Sequence, residues 1–156
     1  MMVLAIAVGV CLAMAAAVAV LRRRYVYATV TSESMMPTLR VGDRVLVRRT
    51  PAERVRVGDV VVLTRPAGGG PGWVVKRVVA LPGDPVPHSG FPALQGLGHD
   101  VVPPRRLVVL GDLGPRSQDS KQLGYFDTAG LLGIVPRRIV GTRSPISAEA
   151  RTPSPR

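Results

Sequence analysis

The chain opens with an apolar run that contains no charged residue from Met1 to Leu21. A run of about 20 apolar residues is long enough to cross a bilayer as one α-helix. A cleaved secretory signal would need a basic segment ahead of its apolar part, and only the amino terminus precedes this run. We therefore expect residues 1–21 to form a permanent transmembrane anchor.

Short runs rich in β-branched residues follow this anchor, and Gly, Pro and Asp separate them. Such runs are typical of β-strands. The predicted strands are Tyr25–Val30, Arg44–Arg48, Val60–Thr64, Trp73–Leu81, Arg106–Leu110 and Gly133–Val140. Because no helical periodicity intervenes, the pattern predicts a mostly β fold, an antiparallel sheet or barrel-like sandwich.

Three segments rich in turn-forming residues are predicted to be connections. Ala67–Gly72 suits a hairpin turn, and Pro82–Pro104 reads as a longer connection rich in Gly, Pro and His. We expect the tail, residues 144–156, to be disordered. The 156 residues leave room for one compact domain, which we place at residues 25–143.

Charge and cysteine content change this picture little. The net charge of +11 raises nucleic-acid binding as a hypothesis. The basic residues are scattered and aromatic residues are few, so contact with an anionic bilayer is the better explanation, and no nucleic-acid partner is expected. Cys11 has no second cysteine to pair with. No metal or other cofactor is expected.

A serine pair, Ser32 and Ser34, lies on the loop after the first predicted strand, and Pro37 is expected to fix the turn there. A serine hydroxyl needs a base to take its proton before it can attack a carbonyl group. His88 and His99 both lie in the Gly- and Pro-rich connection, where a solvated loop histidine is the simpler interpretation. The base is therefore expected elsewhere in the chain.

Lys76 is the candidate base, because the period of two in a strand puts it on the same face as Val74 and Val78. With an ordinary pKa of about 10.4, roughly one lysine in 2,500 is neutral at pH 7. Burial on an apolar face lowers that pKa and supplies more neutral amine. The alternative is that Lys76 and Arg77 are charges that protect an edge strand from aggregation.

A third polar segment follows the predicted strand that ends at Leu110. It holds Gly111-Asp112 and then Ser117-Gln118-Asp119-Ser120-Lys121. Here Ser117 could hydrogen-bond the amine of Lys76 and aim it at Ser34, and Asp119 could pair with Lys121. In isolation the same residues would form an ordinary turn with surface charges.

Together the three segments resemble the type I signal peptidase family of Ser-Lys proteases, from Val30 to Gly141. The resemblance implies a minimal bacterial form of a membrane-bound serine endopeptidase that removes signal or leader peptides from exported precursor proteins. It implies these roles: Ser34 as nucleophile, Lys76 as general base, Ser32 with the Ser34 amide as oxyanion hole, Ser117 as the residue that orients Lys76, and Gly111, Asp112 and Asp119 as structural supports.

The chain departs from the family pattern at two positions. The family usually has Asn after the Gly-Asp pair and Arg after the Asp-Ser pair, where this chain has Leu113 and Lys121. These departures concern the loop geometry and leave the catalytic pair intact. The fold that the resemblance implies is an antiparallel β structure with a groove in which an extended substrate pairs as an added strand.

The sequence gives two opposing indications of the orientation in the membrane. A single-pass anchor with its catalytic domain on the extracytoplasmic face fits the processing of exported proteins. The cluster Arg22–Arg24 follows the anchor, however, and by the positive-inside rule it favours a cytoplasmic domain.

Two other functions stay open at this stage. One is a dedicated maturation protease, similar to the cytoplasmic Ser-Lys peptidases that trim a single propeptide, such as those that mature nickel superoxide dismutase. The other is a non-catalytic, membrane-anchored β domain that binds peptides, in which Ser34 and Lys76 would be idle.

Overall fold

The computed structural model describes residues 2–66 and 72–136. Within these residues, a long N-terminal helix, α1 (Met2–Arg24), leads into a β-sheet. The strands are β1 (Tyr25–Thr29), β2 (Arg44–Arg48), β3 (Val60–Thr64), β4 (Trp73–Ala80), β5 (Arg106–Leu110), β6 (Phe126–Asp127) and β7 (Leu131–Val135), and two short helices are α2 (Pro92–Gln95) and α3 (Ser120–Leu123).

Helix α1 contains a segment, Ile6–Arg24, that is long and apolar enough to cross a membrane by length and composition. None of that segment is buried against the rest of the chain. The helix continues through the arginines that end it and passes directly into β1. The apolar run therefore forms a single helix, as the sequence predicts.

The seven strands form one sheet in the order β1-β2-β7-β3-β4-β5-β6. Every neighbouring pair in the sheet is antiparallel. The predicted fold class, a mostly antiparallel β structure behind an N-terminal helix, is confirmed.

Strand β7 holds the two halves of this sheet together, because it lies between β2 and β3. Its Gly133 lies close to the backbone of β2: a Cβ atom at this position would be 2.1 Å from the carbonyl oxygen of Arg48. A glycine is thus required where the two strands meet, since any side chain would push them apart.

The predicted strand positions agree with the structure over β1 to β5. The last strand begins earlier than predicted, at Leu131, and the predicted continuation over residues 137–140 lies outside the described residues. Most of the predicted turn at Ala67–Gly72 and the whole predicted tail, residues 144–156, also lie outside them.

The interpretation of Pro82–Pro104 as a plain connection is wrong. The segment contains α2 and a β-bridge between Pro85 and Val101. Its apolar side chains form a small core with the sheet, which includes Val86, Phe91, Leu94 and Val102. These residues are spaced irregularly among glycines and prolines, so no period of 2 or 3.6 marks them in the sequence.

Two larger apolar clusters lie within the sheet and fix the strands that carry the polar residues of interest. One cluster includes Val61, Leu63, Val78, Leu107, Val109 and Phe126. The other includes Val30, Met35, Leu39, Val45, Val47 and Val62. The first packs beside Lys76 on β4, and the second holds the loop that carries Ser34.

Candidate active site

Ser34 lies at the middle of a single 3-10 turn, Glu33–Met35, between β1 and β2. Buried side chains on its carboxyl side, Met35 and Leu39, are 1% and 0% exposed and anchor the loop in the apolar core. Ser32 caps the turn, and its Oγ accepts a hydrogen bond from the Ser34 N–H at 3.3 Å. The serine is therefore presented on a loop that is fixed from both ends.

Lys76 lies in the middle of β4, opposite Val61 of β3, and is 2% exposed. Val74 and Val78 both pack with the apolar cluster that includes Leu107 and Phe126. This confirms the face of β4 that the period of two predicts for Lys76. The Nζ of Lys76 donates a hydrogen bond to the Oγ of Ser117 at 2.8 Å, and Ser117 is itself 1% exposed. The hydrogen bond that the sequence suggested is present.

The environment of Lys76 changes its protonation. Burial is the largest effect and lowers the pKa of Lys76 from 10.5 to about 8. The carboxylate of Asp119 raises that pKa, the guanidinium of Arg65 lowers it, and Asp112 raises it. With a pKa of 8, roughly one amine in ten is neutral at pH 7, against about one in several thousand for an ordinary lysine. The site therefore supplies a usable base near neutral pH.

Gly111 brings the two serines into one site. A Cβ atom at this position would lie 1.9 Å from Ser117 Oγ and 2.5 Å from the carbonyl oxygen of Ser34. The neighbouring Leu113 N–H donates to that same carbonyl oxygen at 3.0 Å. The turn after β5 thus touches the backbone of Ser34 on one side and the partner of Lys76 on the other, and only glycine fits between them.

Asp112 ties the Ser34 loop to the strand that carries Lys76. Its carboxylate accepts hydrogen bonds from the Nε and Nη2 of Arg77 and from the hydroxyl of Thr38. Burial alone would raise the pKa of Asp112, but the hydrogen bonds from Arg77 and Thr38 outweigh it and lower that pKa. The hydrogen bond to Asp112 likewise raises the pKa of Arg77. Both pKa shifts favour the charged forms of this ion pair.

Asp119 supports the site through backbone amides. Its side chain is 0% exposed and accepts from the N–H of Gly111 and of Lys121, both at 3.0 Å. It caps α3, and the side chain of Gln122 completes a capping box. Among the described residues, Asp119 forms no ion pair with the side chain of Lys121, which the sequence suggested. Backbone amides already satisfy the carboxylate of Asp119.

The same geometry explains why the two departures from the family pattern leave the site assembled. Leu113 and Lys121 both contribute through their main-chain N–H groups, toward Ser34 and Asp119 respectively. A main-chain donor does not depend on the identity of its side chain. Neither Asn nor Arg is needed for these two hydrogen bonds.

A groove of about 360 Å³ runs past these residues. It lies between β1 and β4, which are not neighbours in the sheet, with Val62 of β3 beside them. Its lining comprises Ala28, Thr29, Val30, Thr31, Ser32, Ser34, Met35, Val62, Arg65, Trp73, Val74, Val75, Lys76 and Gln118. Ser32, Ser34 and Lys76 therefore open into one cavity with mostly small and aliphatic walls.

Neither His88 nor His99 is among the described residues that line this groove. The ring of His99 packs at a centroid distance of 5.8 Å against Tyr125, on a different surface. His88 contributes its backbone carbonyl to the amide of Gln95. Among the described groove-lining residues, Lys76 is thus the candidate base.

Some residues of the site were missed from the sequence. Thr38 and Arg77 join the site through Asp112, and Arg65 and Gln118 line the groove. The alternative interpretation of Lys76 and Arg77 as edge-strand charges is wrong, since β4 lies between β3 and β5. Arg77 could have been identified from the sequence, because it directly follows Lys76 in the strand and its side chain therefore points to the opposite face.

Comparison with known proteins gives a consistent result. The family model described as signal peptidase, peptidase S26, matches residues 2–91, which include Ser34 and Lys76. The "Inactive signal peptidase IA" of Staphylococcus aureus (strain COL) is 28% identical over 70% of this chain and 75% of its own length. The "Signal peptidase I" of Leptolyngbya laminosa is 31% identical over 67% of this chain and 63% of its own length.

A third relative, the "Probable signal peptidase I-1" of Synechocystis sp. (strain ATCC 27184 / PCC 6803 / Kazusa), is 29% identical over 67% of this chain and 65% of its own length. These likenesses agree with the antiparallel fold, the apolar first helix and the grouping of serines with a buried lysine. This chain belongs to the signal peptidase family, peptidase S26.

Proposed function

We propose that this chain is an active, membrane-bound serine endopeptidase that cleaves signal or leader peptides from exported precursor proteins. The observation that carries the proposal is Lys76, an amine that is 2% exposed, has a pKa lowered to about 8, and opens into the same groove as Ser34. Burying a lysine amine costs the fold free energy whatever its role, and a catalytic task for Lys76 would explain why the fold bears that cost.

In the proposed reaction, Lys76 takes the proton of the Ser34 hydroxyl and the resulting alkoxide attacks the scissile carbonyl carbon. The tetrahedral intermediate collapses, and the ammonium of Lys76 gives its proton to the departing amine. A water molecule, deprotonated by Lys76, then attacks the acyl-enzyme and regenerates the Ser34 hydroxyl. One base therefore serves both halves of the reaction.

The developing oxyanion would be held by the Ser34 N–H and the Ser32 hydroxyl. Without substrate these two groups bond to each other, with the Ser32 Oγ as acceptor at 3.3 Å. A bond of that length on an exposed loop is weak. We infer that substrate binding opens it, so that both donors turn toward the carbonyl oxygen.

Ser117 is proposed to position the base. Its Oγ accepts from Lys76 Nζ and so fixes the direction of the amine. Gly111 allows that serine to approach, Asp119 holds the turn, and Asp112 ties the turn to the Ser34 loop. These three residues are proposed to act on the geometry of the site and to touch no reacting atom.

The substrate is proposed to lie extended in the groove beside β1, as an added strand. Strand β1 is at the edge of the sheet, with β2 as its neighbour. Small and aliphatic walls such as Ala28, Val30 and Val75 favour small side chains next to the scissile bond. Because α1 leads directly into β1, the cleavage site of a membrane-inserted precursor would be presented near the bilayer surface.

The test compares the purified full-length chain with Ser34→Ala and Lys76→Ala on a signal-peptide substrate. Both variants are expected to lose at least ~100-fold in turnover, the usual effect of removing a base or nucleophile. Matched controls are Ser89→Ala and Lys121→Ala, an exposed serine and the second lysine, which should retain turnover. Circular dichroism would establish that all four variants are folded.

Two results would contradict the proposal. Turnover of Lys76→Ala within about tenfold of the unaltered chain would remove the lysine from the mechanism. A folded, unaltered chain that cleaves no signal-peptide substrate would favour the non-catalytic, peptide-binding domain, a possibility that the word "inactive" in the name of the staphylococcal relative keeps open.

A further inference from the structure

Thr38 is an exposed residue of the Ser34 loop whose hydroxyl is bound on two sides. It directly follows Pro37, and an exposed threonine can satisfy its hydroxyl with water. Here the hydroxyl donates to the carboxylate of Asp112, in the turn after β5. The same oxygen accepts from Arg77 Nη2 at 3.4 Å. Because its oxygen faces the guanidinium and its proton faces the carboxylate, the direction of this hydroxyl is fixed.

Two hydrogen bonds attach the Ser34 loop to the turn after β5. In one, the carbonyl oxygen of Ser34 accepts from the Leu113 N–H at 3.0 Å. In the other, the hydroxyl of Thr38 binds Asp112, the residue before Leu113. A single hydrogen bond would leave the loop free to rotate about it, whereas two attachments on neighbouring residues define its direction. Thr38 therefore supplies the second attachment.

The same segment after β5 also holds the proposed base. Ser117, further along it, accepts from Lys76 Nζ at 2.8 Å. Asp112 accepts from Arg77, the residue that follows Lys76 in β4. The nucleophile and the base thus share one support, and a rotation of the Ser34 loop against it changes the separation of the two reacting groups. Proton transfer and attack depend steeply on that separation.

Thr38 does not act by touching the substrate in the groove. It is not among the described residues that line the groove. It borders a separate cavity of about 340 Å³, together with Arg77, Val60 and Ile134. An effect of Thr38 on the reaction must therefore pass through the position of Ser34.

We propose that Thr38 is a positioning residue, whose hydroxyl holds the Ser34 loop through Asp112 at the distance from Lys76 that proton transfer requires. This inference rests on the proposed peptidase function and assigns Thr38 a task in that reaction. A hydrogen bond to a carboxylate is stronger than one between neutral groups, so it can fix the direction of an exposed loop.

The experiment measures kcat and KM of the purified full-length chain in detergent, with one signal-peptide substrate. Thr38→Val replaces the hydroxyl by a methyl group of nearly equal size. Its kcat should fall about tenfold, the effect of losing one hydrogen bond to a charged group. Its KM should change by less than about twofold, because the groove is untouched. Thr38→Ser keeps the hydroxyl and should retain most of the turnover.

Thr128→Val is the matched control, because it makes the same substitution between β6 and β7, outside the described lining of the groove. Its kcat should equal that of the unaltered chain. A general effect of exchanging threonine for valine would lower the kcat of both variants, whereas a specific effect lowers that of Thr38→Val alone.

A double-mutant cycle with Asp112→Ala tests the route of the effect. If Thr38 acts through Asp112, the double variant should be no slower than Asp112→Ala alone. Circular dichroism would establish that each variant is folded. Should Asp112→Ala fail to fold, the comparison of Thr38→Val with Thr38→Ser decides the question by itself.

A pH profile separates the position of the nucleophile from the protonation of the base, Lys76. Besides burial, the charged groups that act on its pKa are Asp119, Arg65 and Asp112. Thr38→Val alters none of them, so the acidic limb of kcat/KM should stay at the same pH while its plateau falls. A general loosening of the site would let water reach the lysine, raise its pKa and move the limb to higher pH.

The outcomes separate the two proposals. The positioning inference is overturned, while the peptidase function stands, if Thr38→Val keeps the kcat of the unaltered chain or changes only KM. It is also overturned if Thr38→Ser is as slow as Thr38→Val, if the double variant is slower than Asp112→Ala, or if the acidic limb moves. If the unaltered chain cleaves no signal-peptide substrate, the peptidase function fails, and this inference fails with it.

Discussion

Lys76 and Arg77 are neighbours in the sequence with opposite surroundings. The first is 2% exposed and faces Ser117, whereas the side chain of the second is 32% exposed and binds Asp112. Alternation along β4 produces this division, since consecutive side chains point to opposite faces. One strand thus supplies both the proposed base and the ion pair that holds the Ser34 loop beside it.

At the scale of single residues, the sequence predicts those features that depend on a local pattern of side chains. The apolar face of Lys76 follows from the local positions of Val74 and Val78, and that face is confirmed. The hydrogen bond to Ser117, 41 positions away, is also present, but the chemistry of the two side chains suggests it and not a local pattern. The contacts of Asp112 with Thr38 and Arg77 join residues 74 and 35 positions apart. Such contacts depend on strand register and turn geometry, which no local pattern encodes.

The pH dependence of the proposed activity should follow Lys76. A base must be neutral in the free enzyme, so kcat/KM should rise with pH through the pKa of Lys76, about 8, and level off above it. Because burial disfavours the ammonium, the limb should lie well below the ordinary lysine value. A pH profile of kcat/KM on one signal-peptide substrate measures it.

The control for this prediction is the double variant His88→Gln/His99→Gln. Neither histidine lines the groove among its described residues, so the acidic limb and the rate should stay where they were. Loss of that limb in the double variant would point to a histidine base and would return Lys76 to a structural role.

At the scale of elements, the strands could be predicted but their order could not. Runs of β-branched residues predict β1 to β5 closely, while β6 is two residues long and α2 lies among glycines and prolines. Strand β7 comes last among the strands of the described residues and lies between β2 and β3. That placement depends on long-range pairing, for which the sequence offers only Gly133 as a local sign.

Gly133→Ala should therefore destabilise the sheet. Its Cβ would lie 2.1 Å from the carbonyl oxygen of Arg48, and backbone atoms cannot move aside without disturbing the pairing of β2 with β7. We expect the free energy of unfolding to fall by about 1–3 kcal/mol, the usual effect of overpacking. Denaturant titration by circular dichroism measures the change.

Gly96→Ala is the matched control, because a Cβ at Gly96 meets no atom within 4 Å and its backbone is helical. That variant should unfold like the unaltered chain. Equal stability of the two variants would mean that β2 and β7 are less closely paired than the structure shows.

At the scale of the whole molecule, the fold enlarges the basic cluster at the end of α1. The Arg49 N–H donates to the carbonyl oxygen of Arg24 at 2.8 Å, and Arg48 lies opposite Tyr25. Five exposed arginines, Arg22–Arg24 with Arg48 and Arg49, therefore meet where the helix enters the sheet. Anionic lipid headgroups would attract such a cluster, on whichever side of the membrane it lies.

We predict that the domain after α1 is extracytoplasmic, as cleavage of exported precursors requires. Protease added to intact cells should then digest it, while a cytoplasmic marker protein stays protected. Digestion only after lysis would place the domain in the cytoplasm, in agreement with the positive-inside rule, and would favour the dedicated maturation protease.

The central position of β7 also sets an order of events during synthesis. Ser34 belongs to the half of the sheet formed by β1 and β2, and Lys76 to the half formed by β3, β4 and β5, with β7 between them. A ribosome that adds 5–20 residues per second needs roughly three to twelve seconds to travel from Lys76 to Val135. Through that interval the nascent chain holds both proposed catalytic residues without the strand that aligns them. The proposed protease would thus become active only after β7 has emerged from the ribosome.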